Sequence, residues 1–149
     1  MIVGSNSGML YALKESTGKP AWKYQLGGYV WTPAVSRGVV YVGSDNLAFV
    51  AVNAANGKLR WKTTTTPTTA TGETVSGNVV YADSDGGVIT AMSAATGKAI
   101  WTYSAGAEGR SVPTFAKACS MTAVTDEHLE LLAIYSSGTR SASALRTFS

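Results

Sequence analysis

Ala91-Met-Ser-Ala-Ala-Thr-Gly-Lys-Ala-Ile-Trp101 occurs in two further versions: Ala12-Leu-Lys-Glu-Ser-Thr-Gly-Lys-Pro-Ala-Trp22 and Ala51-Val-Asn-Ala-Ala-Asn-Gly-Lys-Leu-Arg-Trp61. Trp22 and Trp61 are 39 residues apart, Trp61 and Trp101 are 40 apart, and Gly18, Gly57 and Gly97 keep the same steps. A fixed period near 40 marks a repeat architecture and outranks any local motif. Within each copy, a short apolar run (Leu10-Tyr-Ala-Leu13, Phe49-Val-Ala-Val52, Val88-Ile-Thr-Ala-Met92) suits a strand buried on both faces. Thr-Gly-Lys or Asn-Gly-Lys follows and suits a hairpin loop with glycine in the left-handed position. The next strand carries the tryptophan, a ring large enough to cover the join between neighbouring units.

Working outward, Gly38-Val-Val-Tyr-Val-Gly-Ser44 returns as Asn78-Val-Val-Tyr-Ala-Asp-Ser84, and residues 2–5 match its second half. Each is followed by a polar or glycine-containing turn. The unit therefore has four short strands. They are expected at 2–5, 9–14, 20–25 and 30–36; at 39–44, 48–53, 59–64 and 73–76; and at 79–84, 88–93, 99–104 and 111–115. Thr32-Pro-Ala-Val35 recurs two periods later as Val112-Pro-Thr-Phe115, while the middle copy, Gly72-Glu-Thr-Val75, lacks the proline. The threonine-rich stretch 63–72 reads as a strand end and a polar surface connection. These repeats span about 2–36, 37–76 and 77–115, which together make residues 1–115 an all-β array. After Phe115 the pattern decays. Residues 116–149 are either a degenerate fourth repeat or a tail that is not the natural continuation. Met1-Ile-Val-Gly-Ser5 enters directly into strand pattern, which reads as a piece of something longer.

Composition supports the β-rich reading: only 14% of the residues are charged, and Gly, Ser, Thr, Ala and Val are abundant. The net charge of +3 comes from scattered lysines and arginines without a basic run, so nucleic acid is not an expected partner. Lys19, Lys58 and Lys98 recur with the period. Cys119 is the single cysteine, which excludes an intrachain disulfide, and its place suits a core strand. No run of about 18 apolar residues exists, so no membrane-spanning segment is expected.

Chemistry-bearing motifs are sparse. Asp83-Ser-Asp-Gly-Gly87 has the flavour of a calcium loop but lacks the later ligands and the closing glutamate, so a turn is the plainer reading. His128, beside Asp126, Glu127 and Glu130, has no nucleophile motif to serve. The Thr-Gly-Lys copies sit between strands, not before a helix, and are not phosphate loops. No catalytic, cofactor-binding or metal-ligating residue is assigned; the residues singled out are the repeated Trp22, Trp61, Trp101, Gly18, Gly57 and Gly97.

The string Ala-x-x-x-x-Thr-Gly-Lys-x-x-Trp, joined to Gly-Val-Val-Tyr-Val-Gly-Ser, resembles the repeat of the pyrroloquinoline-quinone-type β-propellers over about residues 2–115. The resemblance implies a partial propeller of about three four-stranded antiparallel blades plus a degenerate fourth. It implies that Trp22, Trp61 and Trp101 dock between blades, with Gly18, Gly57 and Gly97 at the turns. Where the family often has Asp two residues after the alanine, this chain has Lys14, Asn53 and Ser93. Family propellers usually have seven or eight blades, so the remaining blades are expected in the same chain or through self-association. The leading expectation is a non-catalytic binding or scaffold segment with a protein or carbohydrate partner and no cofactor. The alternative is a fragment of a quinone-dependent alcohol or sugar dehydrogenase, with pyrroloquinoline quinone and calcium bound by blades outside this chain. Family members mostly work outside the cytoplasm, which implies a periplasmic or secreted parent.

Overall fold

The computed structural model describes residues 1–64, 70–84 and 86–104, which form eleven strands and no helix. The strands are β1 (Ile2–Gly4), β2 (Met9–Leu13), β3 (Pro20–Gln25), β4 (Ala34–Ser36), β5 (Val39–Gly43) and β6 (Ala48–Asn53). They continue as β7 (Leu59–Thr64), β8 (Ala70–Ser76), β9 (Val79–Ser84), β10 (Val88–Ser93) and β11 (Ala99–Ser104). Three antiparallel sheets result, ordered β1-β2-β3, β4-β5-β6-β7 and β8-β9-β10-β11. This is the blade arrangement of a propeller. The strand and degenerate repeat expected beyond residue 104, with Cys119 and His128, lie outside the described residues.

Sheet boundaries do not coincide with period boundaries. The strand that closes each sequence period pairs forward: β4 with β5, and β8 with β9. The tight Ser36–Val39 connection enforces this, with Arg37 and Gly38 at φ 47° and 74°, the doubly left-handed pair of a two-residue hairpin. A parallel bridge between Thr32 and Gly72 places the entries to β4 and β8 side by side. The Thr-rich connection is shorter than expected, because Ala70 and Gly72 are already buried in β8.

Two hydrophobic layers lie between the three sheets. Leu10, Leu26, Val30, Val40, Val42, Val50 and Val52 fill the first. Val39, Tyr41, Phe49, Ala51, Ala70, Val80, Ala82 and Met92 fill the second. The middle sheet feeds both, since alternate residues of β5 and β6 point to opposite faces. Hence Ala48–Val52 is buried throughout, as its apolar run suggests. β2 alternates, buried at Leu10 and Ala12 and half-buried between, whereas β10 departs from alternation where neighbouring Ala91 and Met92 are both buried.

Candidate functional site

The repeated tryptophans sit on the outer strands β3, β7 and β11. In each sheet the outer strand carries one extra residue just before the tryptophan: Trp22 pairs with Ala12 and Pro20 with Leu13, Trp61 with Ala51 and Leu59 with Val52, Trp101 with Ala91 and Ala99 with Met92. Such a bulge bends the strand and re-aims the next side chain. Trp22 Nε1 donates to the Ala54 carbonyl at 2.9 Å, and Trp61 Nε1 donates to the Ala94 carbonyl at 2.9 Å. Each indole thus reaches the turn of the following sheet. Gly57 and Gly97 lie beneath these rings: a Cβ on Gly57 would stand 2.7 Å from Trp22 Cε3, and one on Gly97 2.5 Å from Trp61 Cε3. Their φ angles of 70° and 72° also favour glycine. Trp61 further stacks on Phe49, with centroids 6.0 Å apart.

The turns are closed alike, by Gly18 N, Gly57 N and Gly97 N donating at 2.8 Å to the carbonyls of Lys14, Asn53 and Ser93. Asn53 adds a side-chain bond, its Oδ1 accepting from Ala55 N at 2.8 Å. Lys14 has no acceptor to offer there. The end members of the series differ. Gly18 is exposed with nothing within 4 Å of its Cβ position, and Trp101 is 45% exposed. Lys19, Lys58 and Lys98 are exposed at equivalent turn positions.

A groove of about 250 Å³ runs between β1 and residues 29–33. Ser5 N donates to Met9 O and Leu13 N to Met1 O, so the odd-numbered residues of β1 bond to β2. Ile2 and Gly4 therefore turn their N–H and C=O the other way. In the second sheet Tyr41 holds the place of Ile2 and is paired by Ala34. Among the described residues the first sheet has no such strand. Above the groove, Tyr29 and Trp31 lie 4.6 Å apart at 47°, and Trp31 Nε1 donates to Asp45 Oδ1 at 2.7 Å. Asn46 ties this rim to the preceding loop, its Nδ2 donating to Leu26 O at 3.0 Å. Trp31 is the fourth tryptophan and lies off the period, so repeat reasoning passes over it.

Glu73 is the unforeseen buried charge-bearing group. It stands where the flanking periods have Pro33 and Pro113. Its Oε1 accepts from Gly43 N at 2.7 Å, bridging the second and third sheets. Oε2 is buried and has no hydrogen-bond partner among the described residues. Burial pushes the carboxyl well above its ordinary value, and the Gly43 N–H offsets this only in part. In the Asp83–Gly87 stretch, Asp83 is fully buried in β9 and Ser84 Oγ donates to Val88 O at 3.1 Å. Among the described residues no three His, Cys, Asp or Glu side chains converge on a point that could hold a metal ion.

The family model described as outer membrane protein assembly factor BamB matches residues 1–70. No curated protein sequence matches the chain. Among solved structures, BamB from Moraxella catarrhalis is similar with a TM-score of 0.63 and 21% identity, over 70% of this chain and 32% of that one. Quinohemoprotein alcohol dehydrogenase from Comamonas testosteroni gives 0.60 and 26%, over 69% of this chain and 19% of that one. The computationally designed protein Ika4 gives 0.69 and 15%, over 78% of this chain and 73% of that one. The chain thus spans about a third of the BamB structure and about a fifth of the dehydrogenase.

Proposed function

From the premise that this chain is built of pyrroloquinoline-quinone-type propeller repeats, we propose that it serves as a non-catalytic binding and assembly module. Its groove beside β1 takes up an extended segment of a partner protein. The observation that carries this reading is the outward-facing edge of β1, with Ile2 and Gly4 offering backbone donors and acceptors. A strand edge of this kind recruits a peptide by adding it to the sheet, main-chain bonds supplying affinity and flanking pockets supplying selectivity. The groove volume, about 250 Å³, is below the roughly 300–1,000 Å³ of pockets that enclose a small molecule, which favours a strand over a small ligand. Tyr29 and Trp31 flank it with large rings of low conformational entropy. The assembly role named for BamB agrees with this use of the fold, and we place the parent protein outside the cytoplasm on the same likeness.

The test is titration with a synthetic peptide of residues 31–36, the chain's own inner strand β4 with the three residues that lead into it, followed by amide NMR. Saturable shifts centred on Ile2, Val3 and Gly4 are expected. Ile2→Pro, which removes an outward N–H, abolishes them, because proline cannot donate to an added strand. Shifts scattered over other sheets, or unaffected by Ile2→Pro, would overturn the reading.

A further inference from the structure

Each joint inside the chain is made of two unlike halves: an indole on an outer strand, and a glycine turn on the following sheet. Among the described residues, one half of each kind is unoccupied. Trp101 occupies the place of Trp22 and Trp61 on β11, a strand exposed along its whole length, with Ile100 57% and Tyr103 62% exposed beside it. Its indole N–H makes no hydrogen bond to another described residue, its ring contact being with Tyr81 of its own sheet. At the other end, the Gly18 turn has the geometry of the occupied ones: φ 67° against 70° and 72°, and the same 2.8 Å closing bond. Yet Gly18 meets nothing within 4 Å, where Gly57 and Gly97 lie under a ring. Glu15, three residues before Gly18, holds the place of the acceptors Ala54 and Ala94.

We infer that this chain associates head to tail with a second copy of itself. Trp101 of one copy donates to the Glu15 carbonyl of the next, and its ring lies on Gly18. The argument is continuity with a joint already built twice in the molecule. The receiving turn needs no rearrangement, so little ordering opposes association. Because the halves are unlike, the contact is heterologous: it closes a ring where the rotation permits and otherwise extends. This inference stands apart from the groove at β1, which uses neither half.

The test is sedimentation velocity of the full chain over a wide concentration range, with two substitutions used separately and then mixed. Trp101→Ala removes the indole and leaves the turn. Gly18→Asn blocks the turn and leaves the indole; asparagine tolerates a positive φ, so the backbone keeps its shape. The unsubstituted chain is expected to gain mass with concentration. Each variant alone shifts that association by at least about tenfold in concentration, as loss of a central aromatic anchor does. An equimolar mixture regains one joint per pair and stops at a dimer, because the remaining halves of that dimer are both disabled. Far-UV circular dichroism establishes that both variants keep the β spectrum, with Trp101→Phe and Gly18→Asp as replacements if either does not. The inference is overturned if the unsubstituted chain stays monomeric, as it does where its own later residues cover Trp101. It is equally overturned if association survives both substitutions, or if the mixture stays monomeric.

Discussion

Alanine at Gly18 and alanine at Gly57 form a matched pair that isolates the contribution of one ring contact. Both glycines have nearly the same backbone, φ 67° and 70°. Placing a Cβ in that left-handed region costs about 1–2 kcal/mol at either site. At Gly18 nothing else is involved, since the Cβ enters open space. At Gly57 it meets Trp22 Cε3 at 2.7 Å and Cδ2 at 2.8 Å, closer than real Cβ atoms approach. The indole has little room to retreat while Nε1 stays bonded to Ala54 O at 2.9 Å. Overpacking of this kind adds about 1–3 kcal/mol. Gly57→Ala is therefore expected to lose about 2–5 kcal/mol and Gly18→Ala about 1–2 kcal/mol. With a urea slope near 2 kcal/mol per molar, the two midpoints differ by about 0.5–1.5 M. Urea titration in dilute solution, followed by fluorescence and circular dichroism, measures that gap. Trp22→Ala made in the Gly57→Ala background checks its origin, because the added penalty at Gly57 should shrink once the ring is gone. Equal midpoints for the two alanine variants, or a Gly57→Ala penalty indifferent to Trp22, would refute the reasoning.

Glu73 makes stability depend on pH. Its folded-state value is raised above the ordinary 4.5. The folded chain therefore keeps a proton that the unfolded chain releases. The stabilisation is full below 4.5 and is lost as pH rises through the folded value. Glu73→Gln, neutral at every pH, should flatten that slope and raise the urea midpoint near pH 8 relative to the parent, with little change near pH 4. Trp61→Phe keeps a ring over Gly97 but removes the bond to Ala94 O, and a loss of about 1–3 kcal/mol is expected in thermal unfolding. Phe49→Ala empties a fully buried place between the second and third sheets and should lose about 3–5 kcal/mol. Val35→Ala, 55% exposed, should stay within about 0.5 kcal/mol in the same denaturation assay.

The strands and turns were legible because the period repeats their chemistry. Glycine before lysine marks three left-handed turns, and the apolar runs and tryptophans mark the strands on either side. Partner choice was not legible in the same way. Residues 34–36 read as strand from composition, but composition does not say which sheet they join; the Arg37–Gly38 turn decides that, by folding them onto β5. Burial on both faces followed from position in the array: Ala48–Val52 lies in the middle sheet, and the equally apolar β2 does not. Glu73 left a trace in the sequence, a missing proline at a period position. Its contact with Gly43 N joins residues 30 apart across two sheets, and no local pattern encodes that. Trp31 and Asp45 came together through the loop entering β4, outside any repeat.

The forward pairing of β4 and β8 bears on how such a chain lengthens. The sequence period is about 40 residues, but its last strand is a stitch into the sheet that follows. Every inserted copy is thereby laced to both neighbours by main-chain bonds from the moment it exists. Break-points inside a hairpin such as Ser36–Val39 split a sheet in two, whereas those between Gln25 and Ala34 part no two strands of one sheet and cut at most the single bridges of Val30 to Ser44 and Thr32 to Gly72. Growth and loss of whole units are thus tolerated at the crossings between sheets and resisted at the tight turns.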